Sequence, residues 1–477
     1  MKEKLLYYLN KNKIISNSQF GFRPGLNTFD AINKFTSDLY SALDDHKSII
    51  SIFIDFSKAF DTVQHNILLD KLHHYGIRGC VHNWFESYLS NRSHYTSFTK
   101  ATSSIKSIHL GVPQGSILGP ILFLLYINDM SSFSTTLNTI QFADDSTLYM
   151  QGDNPTDLIH KANLELVKFS EWCLANRLTV NTSKTYYMLF TNTIMKYQPL
   201  PRLTVLNEDI LQVYKIKFLG IMFDKNLTFK YHISNLCIKL SRSIALLVRA
   251  RNLVPSEIMK VMYYAHVYPF MTYCNPIWST TYPCHLYNLN ILHKKIIRII
   301  TNSDFLAHTP PLFKSMNILQ LSDLSKLFIA THMYKHLKNN HTPATLSHRY
   351  STRNNHTLNV PRHNLTTFRQ SLMYKGPTIW NTLPQCVKEC NSESTFKNKL
   401  KHMFFSMYWL QFKVFAICKS ITNSPNTDIL VLISLVSPFI TIVSIIIVFI
   451  INSRSSISVY VIRTITIIFV ISLLLLL

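Results

Sequence analysis

The sequence predicts an α+β fold, in which a sheet carries helices on one face. Residues 49–55 are almost entirely apolar and β-branched, which indicates a strand buried on both faces. Residues 141–149 place two adjacent acids between apolar flanks, which indicates a strand, a tight turn and a second strand. Further strand and helix patterns alternate irregularly along the chain, as is typical of an α+β arrangement.

The region before the buried strand is predicted to contain two helices and a loop. The spacing of three leucines near the N-terminus predicts a short helix. Residues 18–28 contain glycines and a proline, which mark a loop. Asn27 or Thr28 is expected to cap a helix over residues 29–43.

The buried strand ends in an acid, Asp55. A lone carboxylate beside such a strand is costly to bury unless something pairs with it, and a metal ion is one such partner. Apolar residues at helical spacing then predict a helix that ends near Gly76. Glycine and proline shape the loop at residues 111–116, and Ser116 is expected to cap an apolar helix over residues 117–129.

More strands are predicted after the acidic turn. An amphipathic pattern predicts a long helix over residues 157–177, and residues 178–185 then turn back into a strand over residues 186–190. Residues 218–224 predict another strand. From about residue 230 the pattern becomes helical and basic.

Composition favours a negatively charged partner. The 477 residues include 48 Lys and Arg against 25 Asp and Glu, which gives a formal net charge of +23. This excess favours nucleic acid, and a surface of anionic lipid is the competing explanation. An aromatic fraction of 12% argues against a disordered basic tail. The basic helices fit either solvated faces or a nucleic-acid groove, and the net charge favours the groove.

The C-terminal end is strongly apolar. Residues 429–451 form an uncharged run that is long enough to span a bilayer as a helix. A polar break over residues 452–456 precedes a second apolar run, which is interrupted by Arg463 and continues to Leu477. One or two transmembrane helices are therefore expected, and translated non-coding sequence is the alternative.

Asp144 and Asp145 lie at the turn of the predicted hairpin. Oxygen ligands suit hard ions such as Mg²⁺, which takes one or two carboxylates together with substrate phosphates. A solvated turn is the simpler explanation of an isolated Asp-Asp pair, but Asp55 supplies a carboxylate at the end of another strand. Two such turns can hold two metal ions close together, which suits in-line displacement at phosphorus.

Several motifs, in this order, resemble those of reverse transcriptases from non-LTR (LINE-type, jockey-like) retrotransposons. The resemblance covers roughly residues 1–404. The similar segments are QFGFRPG at residues 19–25, just before the palm; the palm motifs FIDFSKAFDTV at 53–63, GVPQGSILGP at 111–120, FADD at 142–145 and NTSKT at 181–185; the primer-grip motif FLG at 218–220; and WNTLP at 380–384 in the C-terminal region.

The resemblance implies a right-hand polymerase, whose palm is an antiparallel sheet with helices on one face. It implies an RNA-directed DNA polymerase that adds dNTPs to a DNA 3′ end on an RNA template by two-metal-ion nucleotidyl transfer. The expected regions are partial fingers at 1–47, the palm at 48–228, a helical thumb-like region at 229–300, a basic C-terminal region at 301–404 and the apolar tail at 405–477.

The resemblance also assigns catalytic roles. Asp55, Asp144 and Asp145 would be catalytic metal ligands, and the backbone carbonyl of Phe56 would be a further ligand. The cofactor would be a pair of Mg²⁺ ions, with Mn²⁺ as a substitute. The partners would be an RNA template, a DNA primer or target, and dNTPs.

Four residues are assigned to the dNTP. Phe60 matches the position whose ring excludes a ribose 2′-hydroxyl, so selection of dNTPs is expected; a plain core aromatic is the alternative. Gln114 and Gly115 would contact the nascent base pair and the dNTP, and the flexible Gly115 permits close backbone approach. Lys184 would lie near the triphosphate, although a solvated lysine fits nearly as well.

Contacts to primer and template complete the assignment. Phe218, Leu219 and Gly220 would brace the primer end, although residues of a core strand would look the same. Arg23 would touch template or backbone phosphate. Asp61 is expected to be structural, as a helix cap.

The family implies a nuclear or cytoplasmic ribonucleoprotein, and the apolar tail adds a membrane as a second location. Family members usually carry further finger strands, and often an endonuclease, before the point at which this sequence starts. Without those strands, basic side chains that clamp the triphosphate would be missing. A catalytically inactive relic that binds nucleic acid is therefore the alternative function, and a membrane-anchored basic protein is a third hypothesis.

Overall fold

A computed structural model describes residues 1–99, 101–192, 200–339 and 357–423. The chain divides into two compact units. The first comprises Met1–Lys239, Phe270–Leu289 and Arg362–Lys375. The second comprises Leu240–Pro269, Asn290–Pro361 and the chain from Gly376 onward, as far as those residues are described. The finer boundaries of fingers, palm and thumb remain predictions.

The bounds of the helices and strands are as follows. The strands are β1 (Ser48–Ile54), β2 (Arg92–His94), β3 (Ser97–Phe98), β4 (Ala101–Thr102), β5 (Lys106–Ile108), β6 (Asn138–Phe142), β7 (Asp145–Gly152), β8 (Tyr186–Phe190), β9 (Leu203–Val205), β10 (Glu208–Gln212), β11 (Lys215–Phe218) and β12 (Ile221–Asp224). The α-helices are α1 (Lys2–Lys11), α2 (Thr28–Asp44), α3 (His65–His74), α4 (Cys80–Leu89), α5 (Gly119–Tyr126), α6 (Pro155–Ala175), α7 (Lys230–Ala250), α8 (Ser256–His266), α9 (Tyr268–Thr272), α10 (Asn275–Trp278), α11 (Pro283–Ile300), α12 (Thr309–Ser315), α13 (Leu321–Asn339), α14 (Leu372–Thr382), α15 (Gln385–Lys388) and α16 (Glu393–Asn423). Short 3₁₀ turns cover Asn128–Ser132, Thr182–Lys184 and Thr366–Gln370.

A six-stranded sheet in the order β6-β7-β1-β8-β10-β9 forms the centre of the first unit. β1 lies between the antiparallel neighbours β7 and β8, and all of its residues are buried. Within this sheet, β8 and β10 pair in parallel. The mixture of helices and a largely antiparallel sheet confirms the predicted α+β class, and β1 confirms the buried strand.

Helices cover both faces of this sheet, so the prediction of helices on one face is wrong. Ile50, Ile52 and Ile54 share a buried core with the apolar stripe of α6. Phe53 lies on the opposite face, where its ring contacts the ring of Phe35 in α2 at a centroid distance of 6.0 Å. Because a strand buried on both faces is apolar at every position, its pattern does not show which face each helix covers.

Local sequence signals set the start of the main helices. The side chain of Asn27 accepts a hydrogen bond from the N–H of Phe29, and the carboxylate of Asp30 accepts one from the N–H of Asn27. The side chain of Asn154 likewise accepts from the N–H of Thr156 at the start of α6. These caps satisfy donors that the first turn of a helix leaves unpaired.

The strand predicted over residues 218–224 is a hairpin. Leu219 and Gly220 have positive φ angles of 43° and 84°, and they separate β11 from β12. Positive φ at both central residues is typical of two-residue hairpin turns. The predicted strand was wrong because only Gly220 marks the turn, and leucine rarely takes this conformation.

The apolar helix after the glycine-rich loop starts later than predicted. Its first residue is Gly119, and Leu118 rather than Ser116 is the N-cap. The Ser116 hydroxyl still accepts a hydrogen bond from the N–H of Gly119 at 2.9 Å. Ser116 therefore supports the first turn from outside the helix.

The described helices also correct the membrane prediction. None of them is long and apolar enough to cross a membrane. This finding contradicts the expected transmembrane helices and membrane location. The apolar runs behind that expectation, residues 429–451 and the run that ends at Leu477, lie outside the described residues.

The second unit contains a buried histidine, His293 in α11, which is only 1% exposed. Its Nε2 lies 3.0 Å from the hydroxyl of Tyr263 in α8. The ring of Phe313 packs edge-on against it at a centroid distance of 4.9 Å. Burial lowers the pKa of His293 to about 3.

The free energy of unfolding should therefore fall as the pH drops below about 6.5, the ordinary pKa of histidine. The folded-state pKa lies below the unfolded one, so this stability is fully present above that pH and is lost below it. The loss from His293 should reach about 2 kcal/mol at pH 5. Urea unfolding at several pH values measures it, and His293→Gln should show a flatter pH dependence than the exposed control His402→Gln. Equal slopes for the two variants would contradict the prediction.

Candidate active site

The sheet brings the three predicted carboxylates to one end of β1. β6 and β7 form a hairpin whose two-residue turn is Ala143 and Asp144. β1 pairs with β7 up to the last residue of β1, and the next position in that register places Asp55 opposite Asp145. The predicted strand-turn-strand is therefore confirmed, with Asp144 in the turn and Asp145 as the first residue of β7, and Asp55 lies beside it.

The three acids interact electrostatically. Burial raises the pKa of Asp145, and the negative charges of Asp144 and Asp55 raise it further. Like charges this close favour a compensating cation, and carboxylate oxygens are the ligands that Mg²⁺ prefers. The residues therefore fit a divalent ion by donor type and charge. Within the described residues, however, no three His, Cys, Asp or Glu side chains are already grouped to hold a metal ion.

Backbone contacts hold the segment around Asp55. The N–H of Asn181 donates to the carbonyl of Asp55 at 2.7 Å, and the N–H of Asp55 donates to the hydroxyl of Thr185 at 3.3 Å. Phe56 forms an antiparallel β-bridge with Val180. The backbone bonds that flank this bridge do not use the Phe56 carbonyl, which is the predicted ligand atom. The segment that resembles the fourth palm motif thus fixes the position of the first.

Gln19, in the loop before α2, braces the acidic turn. The side-chain oxygen of Gln19, a residue that is 1% exposed, accepts hydrogen bonds from the N–H groups of Ala143 at 3.1 Å and Gly21 at 2.8 Å. Ala143 has a φ of 58°, which is unfavourable for a residue with a Cβ and needs such support. A Cβ on Gly21 would lie 2.4 Å from the nitrogen of Ala143. Sequence reasoning gave Gln19 no role, because spacing does not reveal a contact between residues so far apart.

Arg23 contributes to the same loop. Its guanidinium donates to the carbonyls of Ser16 at 2.9 Å and Gln19 at 3.1 Å. Burial lowers its pKa. These bonds give Arg23 a structural role, and its contact with a nucleic-acid phosphate stays a prediction.

The loop over residues 111–116 is tied to the segment after Asp55. Gly111 has a φ of 84° and lies against the backbone of Asp61. A Cβ added to Gly111 would lie 2.8 Å from the Cα of Asp61. The side-chain amide of Gln114 donates to the Asp61 carboxylate at 2.8 Å. The N-cap of α3 is Gln64, so the predicted cap role of Asp61 is wrong. Asp61 instead anchors Gln114.

The other residues predicted to contact the dNTP have the following surroundings, and their roles stay predictions. Gly115 is exposed, has a φ of 78° and would have no atom within 4 Å of an added Cβ. The ring of Phe60 stacks on Phe123 at 4.3 Å, as the alternative of a core aromatic also predicts. Lys184 is exposed, at the end of a 3₁₀ turn.

The turn predicted to hold the primer lies on the same face of the sheet as Asp55. Phe218 is buried, and its ring lies 5.7 Å from that of Phe53. Since alternate residues of a strand share a face, Phe53 and Asp55 lie on one side. Leu219 and Gly220 follow Phe218 as the hairpin turn. The burial of Phe218 fits the alternative of a core strand residue, and the primer role of Phe218, Leu219 and Gly220 stays a prediction.

Known proteins match the region that holds this arrangement. Residues 1–223 match the family model described as "Reverse transcriptase (RNA-dependent DNA polymerase)". These residues include the three acids, the glycine-rich loop and the β11–β12 turn. Over these residues the chain is similar to reverse transcriptases.

Its relatives come from mobile elements. The "Probable RNA-directed DNA polymerase from transposon X-element" of Drosophila melanogaster is 25% identical over 327 residues, which cover 67% of this chain and 36% of the relative. The "RNA-directed DNA polymerase from mobile element jockey" of Drosophila funebris is 25% identical over 339 residues, which cover 67% and 37%. The predicted resemblance to jockey-like, non-LTR reverse transcriptases is confirmed. The chain spans little more than a third of the length of these relatives.

Among solved structures, an apo telomerase from Candida Tropicalis is similar at 13% sequence identity, with a TM-score of 0.38. The match covers 72% of this chain and 59% of that one. At this TM-score it supports no argument about the site.

Proposed function

We propose that this chain is an RNA-directed DNA polymerase of a non-LTR retrotransposon, which adds dNTPs to a DNA 3′ end on an RNA template. The observation that carries the proposal is the convergence of Asp55, Asp144 and Asp145 at one end of β1, inside the region that is similar to reverse transcriptases. The net charge of +23 suits a nucleic-acid partner. A nuclear or cytoplasmic ribonucleoprotein is the corresponding setting.

The three carboxylates, with the Phe56 carbonyl, would hold two Mg²⁺ ions or Mn²⁺ in their place. When bound, such ions make a hydroxyl nucleophilic at neutral pH and stabilise the charge on a leaving pyrophosphate. The chain's own part is to fix the carboxylates where two strands end. Asn181 and Thr185 hold Asp55 there, and Gln19 holds the acidic turn.

Other residues would then bind the substrates. Gln114 and Gly115 would face the nascent base pair, with Asp61 fixing the Gln114 amide. Lys184 would lie near the triphosphate. The turn of Leu219 and Gly220 would support the primer end, and Arg23 would contact template phosphate.

The test uses the purified full chain, a DNA primer annealed to an RNA template, dNTPs and Mg²⁺. We expect extension of the primer that depends on the RNA strand and stops when the metal is chelated. Absence of extension with both Mg²⁺ and Mn²⁺ would overturn the proposal. If the protein still bound the primer–template, the inactive nucleic-acid-binding alternative would replace it.

Replacing Phe60 with Ala should weaken selection against ribonucleotides, because the ring would no longer block a 2′-hydroxyl. We expect the ratio of rNTP to dNTP incorporation to rise about tenfold or more. The ring also stacks on Phe123, so the same change should cost about 2 to 3 kcal/mol of stability. Phe123→Ala removes the other ring of the stack and is the matched control. A similar nucleotide ratio in both variants would identify Phe60 as a core aromatic only.

A further inference from the structure

The first unit carries a cluster of lysines around one tyrosine, beside the β11–β12 hairpin. Lys215 and Lys217 are exposed alternate residues of β11, and Lys230 is the exposed first residue of α7. The adjacent Tyr231 is 41% exposed. The ammonium groups of Lys215 and Lys230 lie 5.4 Å and 5.1 Å from the centroid of its ring. We call these four residues the lysine cluster.

Within the described residues, none of the three lysines forms an ion pair. Asp224 lies directly across the hairpin from Lys215, but it is 3% exposed. Its carboxylate accepts hydrogen bonds from the N–H and hydroxyl of Thr228 instead. The acid of the hairpin is therefore buried, and its carboxylate forms no ion pair with the cluster.

The tyrosine ring attracts both ammonium groups. Like charges repel, and the negative face of an aromatic ring offsets part of that repulsion. Lys217 lies about 7 Å along the strand from Lys215, on the same face of the hairpin. Three exposed positive charges therefore lie on the hairpin and at the adjoining start of α7, which suits a ligand with several negative charges in a row.

We propose that the lysine cluster binds consecutive phosphates of a nucleic-acid strand that runs across the hairpin. Lys217 directly precedes Phe218 and the turn of Leu219 and Gly220, so the cluster lies beside the turn that we propose for the primer end. Tyr231 is a positioning residue that gathers Lys215 and Lys230. The inference rests on the proposed function, since it requires the chain to bind a primer–template.

The experiment measures binding of the full chain to a labelled primer–template without dNTPs, over salt concentrations of about 0.05 to 0.3 M. Each phosphate contact contributes about 0.9 to the slope of log affinity against log salt. Replacing Lys215, Lys217 and Lys230 with Gln should therefore reduce the slope by up to about 2.7. The affinity at about 0.1 M salt should fall on the order of a hundredfold. Separate DNA and RNA single strands show which of them the cluster holds.

The control variant carries Lys2→Gln, Lys4→Gln and Lys11→Gln, which remove the same charge from exposed positions of α1 in the same unit. Its slope should stay close to that of the wild type. Tyr231→Leu leaves the net charge unchanged and should still weaken binding, whereas Tyr231→Phe should restore it because the ring is kept.

The outcomes separate the inference from the proposed function. The inference would be overturned if the salt slope of the triple variant were unchanged, or if the α1 control reduced the slope equally. In either case, primer extension by the wild type would still support the proposed function. A wild-type chain that bound no primer–template would overturn both. Thermal unfolding followed by circular dichroism confirms that the compared variants are folded.

Discussion

Replacing Asp144 with Asn should abolish primer extension. The change keeps the shape of the side chain and removes one of three negative charges at the end of β1. A metal site of this kind supplies several kcal/mol of transition-state stabilisation, so the rate should fall on the order of 10³-fold or more. Because Asp144 also raises the pKa of Asp145, that pKa should move down in the variant. Relief of like-charge repulsion should leave the fold at least as stable.

The measurement is single-turnover extension of a primer on RNA, at matched protein concentration. Asp153→Asn is the matched control, because Asp153 is an exposed acid just after β7 and lies outside the predicted site. The control should retain wild-type activity, and both variants should bind the primer–template. Extension by Asp144→Asn within a few-fold of the wild type would show that the acidic turn is not the catalytic centre.

Local chemistry explains which parts of the fold were predictable. Asn27 starts α2 through a cap that depends only on neighbouring residues, as predicted. The helix predicted over residues 157–177 is α6, which starts earlier than predicted, at Pro155 after the cap Asn154. The strand predicted over residues 186–190 has the observed bounds of β8. The hairpin over β6 and β7 was predictable because a polar pair interrupts two apolar runs.

Other features depend on contacts across the fold, and periodicity does not encode those. Helix α2 covers one face of β1, where the ring of Phe35 contacts that of Phe53. A strand that is apolar at every position does not indicate whether helices cover one face or both. The role of Asp61 was mistaken for the same reason. Its partner is the side chain of Gln114, which the glycine-rich loop brings to it.

In the candidate site, the resemblance of the motifs to those of reverse transcriptases implied that Asp55 lies beside Asp144 and Asp145. The register of β1 and β7 agrees with that prediction. The brace was not predictable, because Gln19 acts through one amide oxygen on a backbone N–H in the turn. The segment at residues 19–25 resembles a family motif, but that resemblance does not indicate which residues Gln19 contacts.

Replacing Gly21 with Ala should also reduce activity strongly, because Gly21 lies against the backbone of the acidic hairpin. The added Cβ would lie 2.4 Å from the nitrogen of Ala143 and 3.0 Å from the carbonyl carbon of Phe142. Both are backbone atoms of the acidic hairpin, so the hairpin or the loop must shift. Overpacking of this kind costs about 1 to 3 kcal/mol. Displacing a catalytic group by about 1 Å costs on the order of a hundredfold in rate.

Gly152→Ala, at the other end of β7, separates this effect from a general loss of stability. Its Cβ would meet the side chain of Leu158, with Cδ1 nearest at 3.2 Å and Cβ and Cγ at ordinary contact distance, so its activity should stay near that of the wild type. Primer extension should be measured against Mg²⁺ concentration, at a temperature where both variants are folded. If Gly21 positions the carboxylates, Gly21→Ala should need several-fold more Mg²⁺ for half-maximal rate, because its ligands are displaced. A rate reduced in proportion to the folded fraction, with the same Mg²⁺ dependence as the control, would limit the loop to a role in stability.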